Sequence, residues 1–412
     1  MKLRKLSAGL FAAGMALALM LTPAAAAEDT AASGITTNSI QGWPQGPDIT
    51  STAAVIMEDA TDTVLYAKNM DQQLFPGSTV KIMTALLALE NSQLTDQVTM
   101  TATGVSGVTD GGANIAAQEG EVFTVEQCLY AIMLTSANDI ALQLAEHIGG
   151  SVDGFVKMMN DRAAQLGCTG TVFTNPTGLP DDSQHTTAHD MALIMKAAVD
   201  NAGFLTIAET TSYTIPATNV SGGERVLNNN FSMMSPADPA YYAQCLGGRE
   251  GYTDASGSTL VCSAKKNDVT LIAVVLQGAS GTTAAEAGSL LNYGFDNFQT
   301  LSLGDKDFNM VSGGNVYVPA GATADSLTYE DTPGKDGQSD RQYYFGGTPV
   351  GKAVMAAAQT QDNTKVQESE QNLQAARDYS SGHTDTPYYI IAGVGALFIL
   401  LLIWRIIKVA KS

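Results

Sequence analysis

The stretch that decides the reading of this 412-residue chain is Phe75-Pro76-Gly77-Ser78-Thr79-Val80-Lys81-Ile82-Met83-Thr84. Pro76 and Gly77 punctuate the chain, and the helix formers that follow predict a helix opening at 76–78 and running to Glu90. Ser78 and Lys81 lie three residues apart, so one helix face carries both hydroxyl and amine. At a helix N-terminus the backbone N–H groups also point toward the serine, ready for an oxyanion. A lysine in that place loses its proton if burial and a nearby cation depress its pKa, and it can then act as the base. Read alone, the spacing is weak, because Ser and Lys are common on solvated helix faces, and that plainer reading prevails without further support.

Working outward, 53–58 and 63–67 read as two short strands joined by the turn Asp59-Ala60-Thr61-Asp62. Thr124-x-x-Gln127 is a capping-box pattern opening a helix to about Leu134. Ser136-Ala137-Asn138-Asp139 interrupts it, and a second helix runs to about His147, closed by Gly149-Gly150. Residues 151–166, closed by Gly167, form another, and Thr187-x-x-Asp190 caps one to about Val199. Strand-like runs follow at 241–246, 259–264 and 270–277, then a helix at 283–298. Strands, helices, strands and a helix predict an α+β domain over 43–300, a largely antiparallel sheet flanked by helices with a helical subdomain. Across 301–355 the composition shifts to Gly, Asp, Thr and Val, with strand pieces at 315–318 and 342–345, which predicts a small β module. The polar run 356–387 reads as a linker.

The two ends locate the body. Lys2, Arg4 and Lys5 precede an apolar run and the small residues Ala24 to Ala27, so 1–27 reads as a secretory signal peptide, with a polar leader over 28–42. Near the other end, 388–407 is apolar apart from Arg405, has Tyr388 and Tyr389 at one edge and Trp404 at the other, and precedes Lys408 and Lys411. That predicts a C-terminal transmembrane helix with a cytoplasmic tail at 408–412 and an extracytoplasmic body. Net charge is −20, and the six cations at the ends leave the middle more acidic still. Such a surface repels phosphate backbones and excludes nucleic acid as a partner, so lipid contact falls to the apolar ends. Nothing in the chain speaks to its oligomeric state.

Cysteine and histidine contribute little chemistry. Cys128, Cys168, Cys245 and Cys262 show no C-x-x-C spacing. A hairpin turning near Asp254 would put Cys245 opposite Cys262, as a disulfide or as two buried thiols. His185 and His189 are four apart but lack the Glu of H-E-x-x-H, and His185 precedes the Thr187 cap, so a metal site has little support. No G-x-S-x-G elbow occurs.

Two further stretches accompany Ser78 and Lys81. Ser136-Ala137-Asn138 falls in the break between helices, where a polar turn can aim side chains into a cleft or simply cap the next helix. Gly247-Gly248-Arg249-Glu250-Gly251-Tyr252-Thr253 ends one strand before the next. In this order the three resemble the penicillin-binding serine D-Ala-D-Ala carboxypeptidases, which share the β-lactamase/DD-peptidase fold. The likeness extends to Phe173-Thr174-Asn175-Pro176-Thr177-Gly178-Leu179, Thr187-Ala188-His189-Asp190, Gly251-Tyr252-Thr253-Asp254-Ala255-Ser256-Gly257 and Leu290-Leu291-Asn292-Tyr293-Gly294-Phe295, and covers about 43–300.

The resemblance implies a two-step acyl transfer on peptidoglycan stem peptides, open to β-lactam trapping and free of any metal or cofactor. It assigns Ser78 as nucleophile, Lys81 as base and Ser136 as proton relay. It gives Asn138 the substrate amide, the backbone N–H groups of Ser78 and Tyr252 the oxyanion hole, and Arg249, Glu250, Gly251, Tyr252 and Thr253 the substrate-binding strand. Within enzymes the rival is a β-lactamase, and outside them a silent wall-peptide-binding protein.

One departure from the family pattern stands out. Where the family has Lys-Thr-Gly, this chain reads Arg249-Glu250-Gly251. The family threonine donates to the substrate carboxylate, which an ionised glutamate repels. At about 4 Å that costs roughly 1 kcal/mol in water and about 4 near a protein surface. Three outcomes follow: Glu250 turns away or carries a proton and D-alanine release survives; it favours a substrate end bearing an amine or amide; or hydrolysis is lost and binding remains.

Overall fold

The computed structural model describes residues 34–106, 112–304 and 309–357. The signal-peptide segment, most of the linker and the apolar C-terminal segment lie outside the described residues. Among those described, no single helix is long and apolar enough to cross a membrane.

In chain order the elements are β1 (Ala53–Glu58), β2 (Thr63–Lys68), α1 (Lys81–Asn91), β3 (Gln97–Thr99), α2 (Ala102–Ser106), β4 (Val122–Thr124), α3 (Val125–Thr135), α4 (Asn138–Gly149), α5 (Val152–Gln165), α6 (Ala188–Val199) and α7 (Ala202–Ala208). They continue with β5 (Ser212–Ile215), β6 (Arg225–Asn228), β7 (Cys245–Thr253), β8 (Gly257–Lys266), β9 (Val269–Gly278) and α8 (Thr283–Asn297). Strands β10 (Phe298–Ser302), β11 (Met310–Gly313), β12 (Asn315–Pro319), β13 (Thr328–Pro333), β14 (Ser339–Phe345) and β15 (Thr348–Met355) complete them.

The central sheet has five antiparallel strands in the order β2-β1-β9-β8-β7. Period-two alternation splits its side chains between two apolar clusters. Val55, Met57, Ile272 and Val274 face one cluster with α1, α3, α4 and α6, whereas Ala54, Ile56, Leu271 and Ala273 face another with α8. Both faces are covered, so β1 is buried at every position and its sequence is continuously apolar until Glu58. This is the α+β architecture expected.

Local signals behave as their chemistry dictates. The Thr124 side chain accepts from Gln127 N, and Gln127 caps the Thr124 backbone in return, which starts α3. Thr187 caps α6 through Asp190 N. The first turn of the nucleophile helix is a tighter 3₁₀ turn (Gly77–Val80), and α1 begins at Lys81.

Three expectations need correction. The strand expected at 241–246 starts at Cys245 and runs through Thr253, so the Gly-rich stretch read as its end is the sheet edge itself. Gly247, at φ 119°, hosts a register shift there, and a local irregularity of this kind hides the period-two pattern. The shift also moves the cysteines: Cys245 lies opposite Ala264, and Cys262 opposite Gly248. Both thiols are free, and their proximity lowers the pKa of Cys245 and raises that of Cys262. Finally, the chain from the leader to β1 is not merely polar. Ile35, Trp43 and Ile49 are buried against the α8 face, and Trp43 Nε1 donates to Leu65 O at 2.7 Å. Isolated anchors in extended chain leave no period to read.

The later strands join this back face. Strands β10 and β12 pair, and β11-β15-β14-β13 form a four-stranded antiparallel sheet. Val316, Tyr317, Val318, Tyr343 and Val350 belong to the cluster that holds Trp43 and α8. Trp43 lies 5.1 Å from Phe298 and 6.1 Å from Phe345, ring centre to ring centre.

Candidate active site

Three segments meet in a cavity of about 840 Å³ at the edge of the central sheet: the start of α1, the α3–α4 break and strand β7. Ser78, Ser136, Asn138, Arg249, Glu250, Gly251, Tyr252 and Thr253 all line it. Lys81 sits beneath them, wholly buried.

Lys81 Nζ approaches Ser78 Oγ at 3.4 Å and donates to Thr177 O at 2.5 Å. Burial holds its pKa well below the ordinary lysine range, and the Arg249 charge adds to the effect. Among the described residues no carboxylate pairs with it, so no opposite charge offsets the cost of desolvating an ammonium. Both effects shift the balance toward the neutral amine, the form a base needs.

The Thr177 carbonyl was not foreseen as part of the site. Asn175 Oδ1 builds the turn that carries it, accepting from Thr177 N at 3.2 Å, Thr177 Oγ1 at 2.8 Å and Gly178 N at 2.8 Å. Gly178, at φ +83°, packs so tightly on the nucleophile turn that a Cβ would lie 1.9 Å from Gly77 O. The Asn-Pro-Thr-Gly turn residues at 175–178 were the available signal.

Ser136 ends α3 in a left-handed conformation, φ 61° and ψ 29°. That is uncommon for a residue with a side chain and costs energy that the surroundings must offset. Ser136 Oγ and Asn138 Oδ1 are both buried and have no hydrogen-bond partner among the described residues. Orphaned polar atoms of this kind are costly, and both residues that carry them line the cavity. The turn is pinned from behind by Asp139, whose carboxylate accepts from Ile115 N, Ala117 N and Ile140 N.

On β7, Gly251 abuts the nucleophile, and a Cβ there would fall 2.6 Å from Ser78 N. Arg249 is buried and turned inward: Nη1 donates to Met133 O at 2.6 Å, Nη2 to Asn230 Oδ1 at 2.7 Å and Nε to Glu250 O at 3.1 Å. Burial pushes its pKa down to about 10, while Glu250 pulls the other way, so the guanidinium is charged at neutral pH. Glu250 does not turn away. Ser232 N and Ser232 Oγ donate to its two carboxylate oxygens at 3.2 and 2.9 Å, holding it at the cavity wall. Asn230 and Ser232 come from a polar loop with no periodic or motif signal. Tyr252 is exposed, and Thr253 exchanges hydrogen bonds with Ser256.

His185 and His189 lie elsewhere. His185 bridges Val172 through its backbone, and His189 on α6 stands 3.9 Å from Asp71.

Comparison with known proteins agrees with this arrangement. The family model described as D-alanyl-D-alanine carboxypeptidase matches residues 40–280. The D-alanyl-D-alanine carboxypeptidase DacF of Bacillus subtilis is 33% identical over 258 residues, covering 61% of this chain and 64% of that protein. DacB2 of Mycobacterium tuberculosis, with the same description, is 31% identical over 258 residues, covering 60% of this chain and 84% of its own. The crystal structure of penicillin binding protein 6B from Escherichia coli superimposes with a TM-score of 0.64 at 24% identity, covering 77% of this chain and 98% of that one, which speaks to the fold. On its sequence match and its fold, the chain belongs to the D-alanyl-D-alanine carboxypeptidase family.

Proposed function

We propose that this chain is a serine acyl-transfer hydrolase that removes the terminal D-alanine from peptidoglycan stem peptides and is trapped by β-lactams. The observation that carries the reading is the Ser78–Lys81 pair, with a fully buried amine 3.4 Å from the hydroxyl. Ser78 Oγ bonds to the carbonyl carbon of the penultimate D-alanine as its proton passes to Lys81 Nζ. The C–N bond then breaks, a proton relayed through Ser136 Oγ reaches the departing nitrogen, and D-alanine leaves. Water adds to the ester carbon, the C–Oγ bond breaks, and Ser78 is restored. Asn138 receives the substrate amide, and the N–H groups of Ser78 and Tyr252 face the developing oxyanion. Gly251 supports that last role, since only a residue without a side chain lets β7 run this close to Ser78.

The proposal extends to the chain's organisation. Residues 1–27 serve as signal peptide, 28–42 as leader, 43–300 as catalytic domain, 301–355 as β module and 356–387 as linker. Residues 388–407 form a transmembrane anchor and 408–412 a cytoplasmic tail, so the catalytic domain works outside the membrane of a bacterium, of Gram-positive type. The apolar C-terminal run followed by basic residues supports this topology.

The test is D-alanine release from a stem pentapeptide by the purified protein, beside its Ser78→Ala variant. Release by the wild type and none by the variant is expected. Equal release by both would remove Ser78 from the mechanism.

A further inference from the structure

We propose that Glu250 turns this pocket toward substrates whose leaving residue carries, at the position of a terminal carboxylate, a neutral or cationic hydrogen-bond donor: a carboxamide or an ammonium. The inference rests on the acyl-transfer reading and deepens it by naming the class of leaving group.

The argument is geometric. In any substrate cleaved at Ser78, a carboxylate on the leaving residue lies within one residue's length of the scissile bond. Gly251 touches Ser78, and Glu250 is its neighbour on β7, about 3.4 Å further along the strand. The Glu250 carboxylate is fixed, not mobile, because Ser232 donates one hydrogen bond to each of its oxygens. An oxygen with one donor has acceptor capacity left, so the wall presents lone pairs where a carboxylate needs N–H or O–H groups.

The remaining charges do not reverse this. Asp238 and Asp254 also line the cavity, and Arg249 is the one cation among its described lining residues. That guanidinium is buried, with Met133 O, Asn230 Oδ1 and Glu250 O taking three of its N–H groups. Those three bonds hold its fork toward the α3 terminus, and only 2% of the residue is exposed at the cavity. A leaving residue with a free carboxylate therefore meets an acceptor-rich, anionic wall. One ending in a carboxamide or an ammonium meets partners.

The test uses the purified protein and three peptides with one acyl part, blocked L-lysyl-D-alanyl. Their leaving residues are D-alanine, D-alaninamide and the analogue in which an aminomethyl group replaces the carboxylate. The wild type should cleave the last two with kcat/KM at least about tenfold above the first. Glu250→Gln, close in shape, and Glu250→Thr should raise the D-alanine peptide at least about tenfold and lower the ammonium peptide. A greater gain for ammonium than for carboxamide identifies charge as the selecting property, and equal gains identify donor capacity.

Wild-type preference for the D-alanine peptide overturns the proposal, as do unchanged ratios in variants with wild-type melting temperatures. Labelling of Ser78 by fluorescent penicillin without cleavage of any peptide overturns it too, leaving acylation intact. Failure of both labelling and cleavage overturns the acyl-transfer reading beneath it.

Discussion

At the scale of single residues the site turns on how the pKa of Lys81 is lowered. Its folded pKa lies below its unfolded one, chiefly through burial and then through Arg249. Between those two values the unfolded chain binds more protons, so this group's contribution to stability rises with pH across that window. Activity follows the same titration: acylation should climb with pH along a limb set by Lys81, below the ordinary lysine range. Arg249→Gln removes a cation and should move the limb to higher pH, whereas Arg249→Lys should leave it nearly in place. The measurement is the pH profile of penicillin acylation rate, and coincident limbs for Gln and wild type would exclude the charge effect. Gly251 makes a steric prediction. A methyl there must displace the Ser78 backbone or the strand, and misplacement of about 1 Å costs about 100-fold in rate. Gly251→Ala should therefore slow labelling by about that factor while the protein still melts cooperatively.

At the scale of elements, the site depends on terminations and turns more than on helix or strand interiors. The break between α3 and α4 delivers Ser136 and Asn138, and the capping box at Thr124 sets the register of the helix ending there. Thr124→Ala should cost about 1 kcal/mol, seen as a lower denaturation midpoint with unchanged slope. The turn at 175–178 is more consequential, because Asn175 Oδ1 holds three donors and so positions the Thr177 carbonyl on Lys81. Asn175→Ala should reduce acylation more than stability. A large loss of stability with normal acylation in the remaining folded protein would assign Asn175 to folding alone. Helix caps were legible in the sequence because their chemistry is local: Thr124 and Gln127 are three residues apart. The Thr177–Lys81 contact spans 96 residues, and no local pattern encodes it.

At the scale of the whole molecule, the apolar face behind the site ties distant segments together. Trp43 from the N-terminal segment, Tyr293 from α8 and Phe298, Tyr317 and Phe345 from the later strands pack in one cluster. Trp43→Ala should cost about 3–5 kcal/mol, a large share of an ordinary domain's stability, measured by denaturant unfolding. If the later strands folded independently of this cluster, the variant would instead show two separated transitions. The proposed anchor is tested at this scale as well: a chain ending before residue 388 should leave the membrane fraction and keep penicillin labelling.

By itself the sequence singled out the residues proposed to carry the chemistry and the main helices and strands of the body. Ser78 and Lys81 sit at helical spacing, and caps, turns and alternation are short-range physics written into neighbouring residues. Only the tertiary structure decided which way the ambiguous groups point. Arg249 and Glu250 are adjacent on a strand and both line the cavity, but the sequence does not say which partner each side chain finds. Packing against α3 buries Arg249 toward Met133 and Asn230, and that leaves Glu250 to Ser232 at the cavity wall. Side-chain direction on an edge strand is set by what the rest of the chain brings beside it, and that information lies 18 and 116 residues away from the residues concerned.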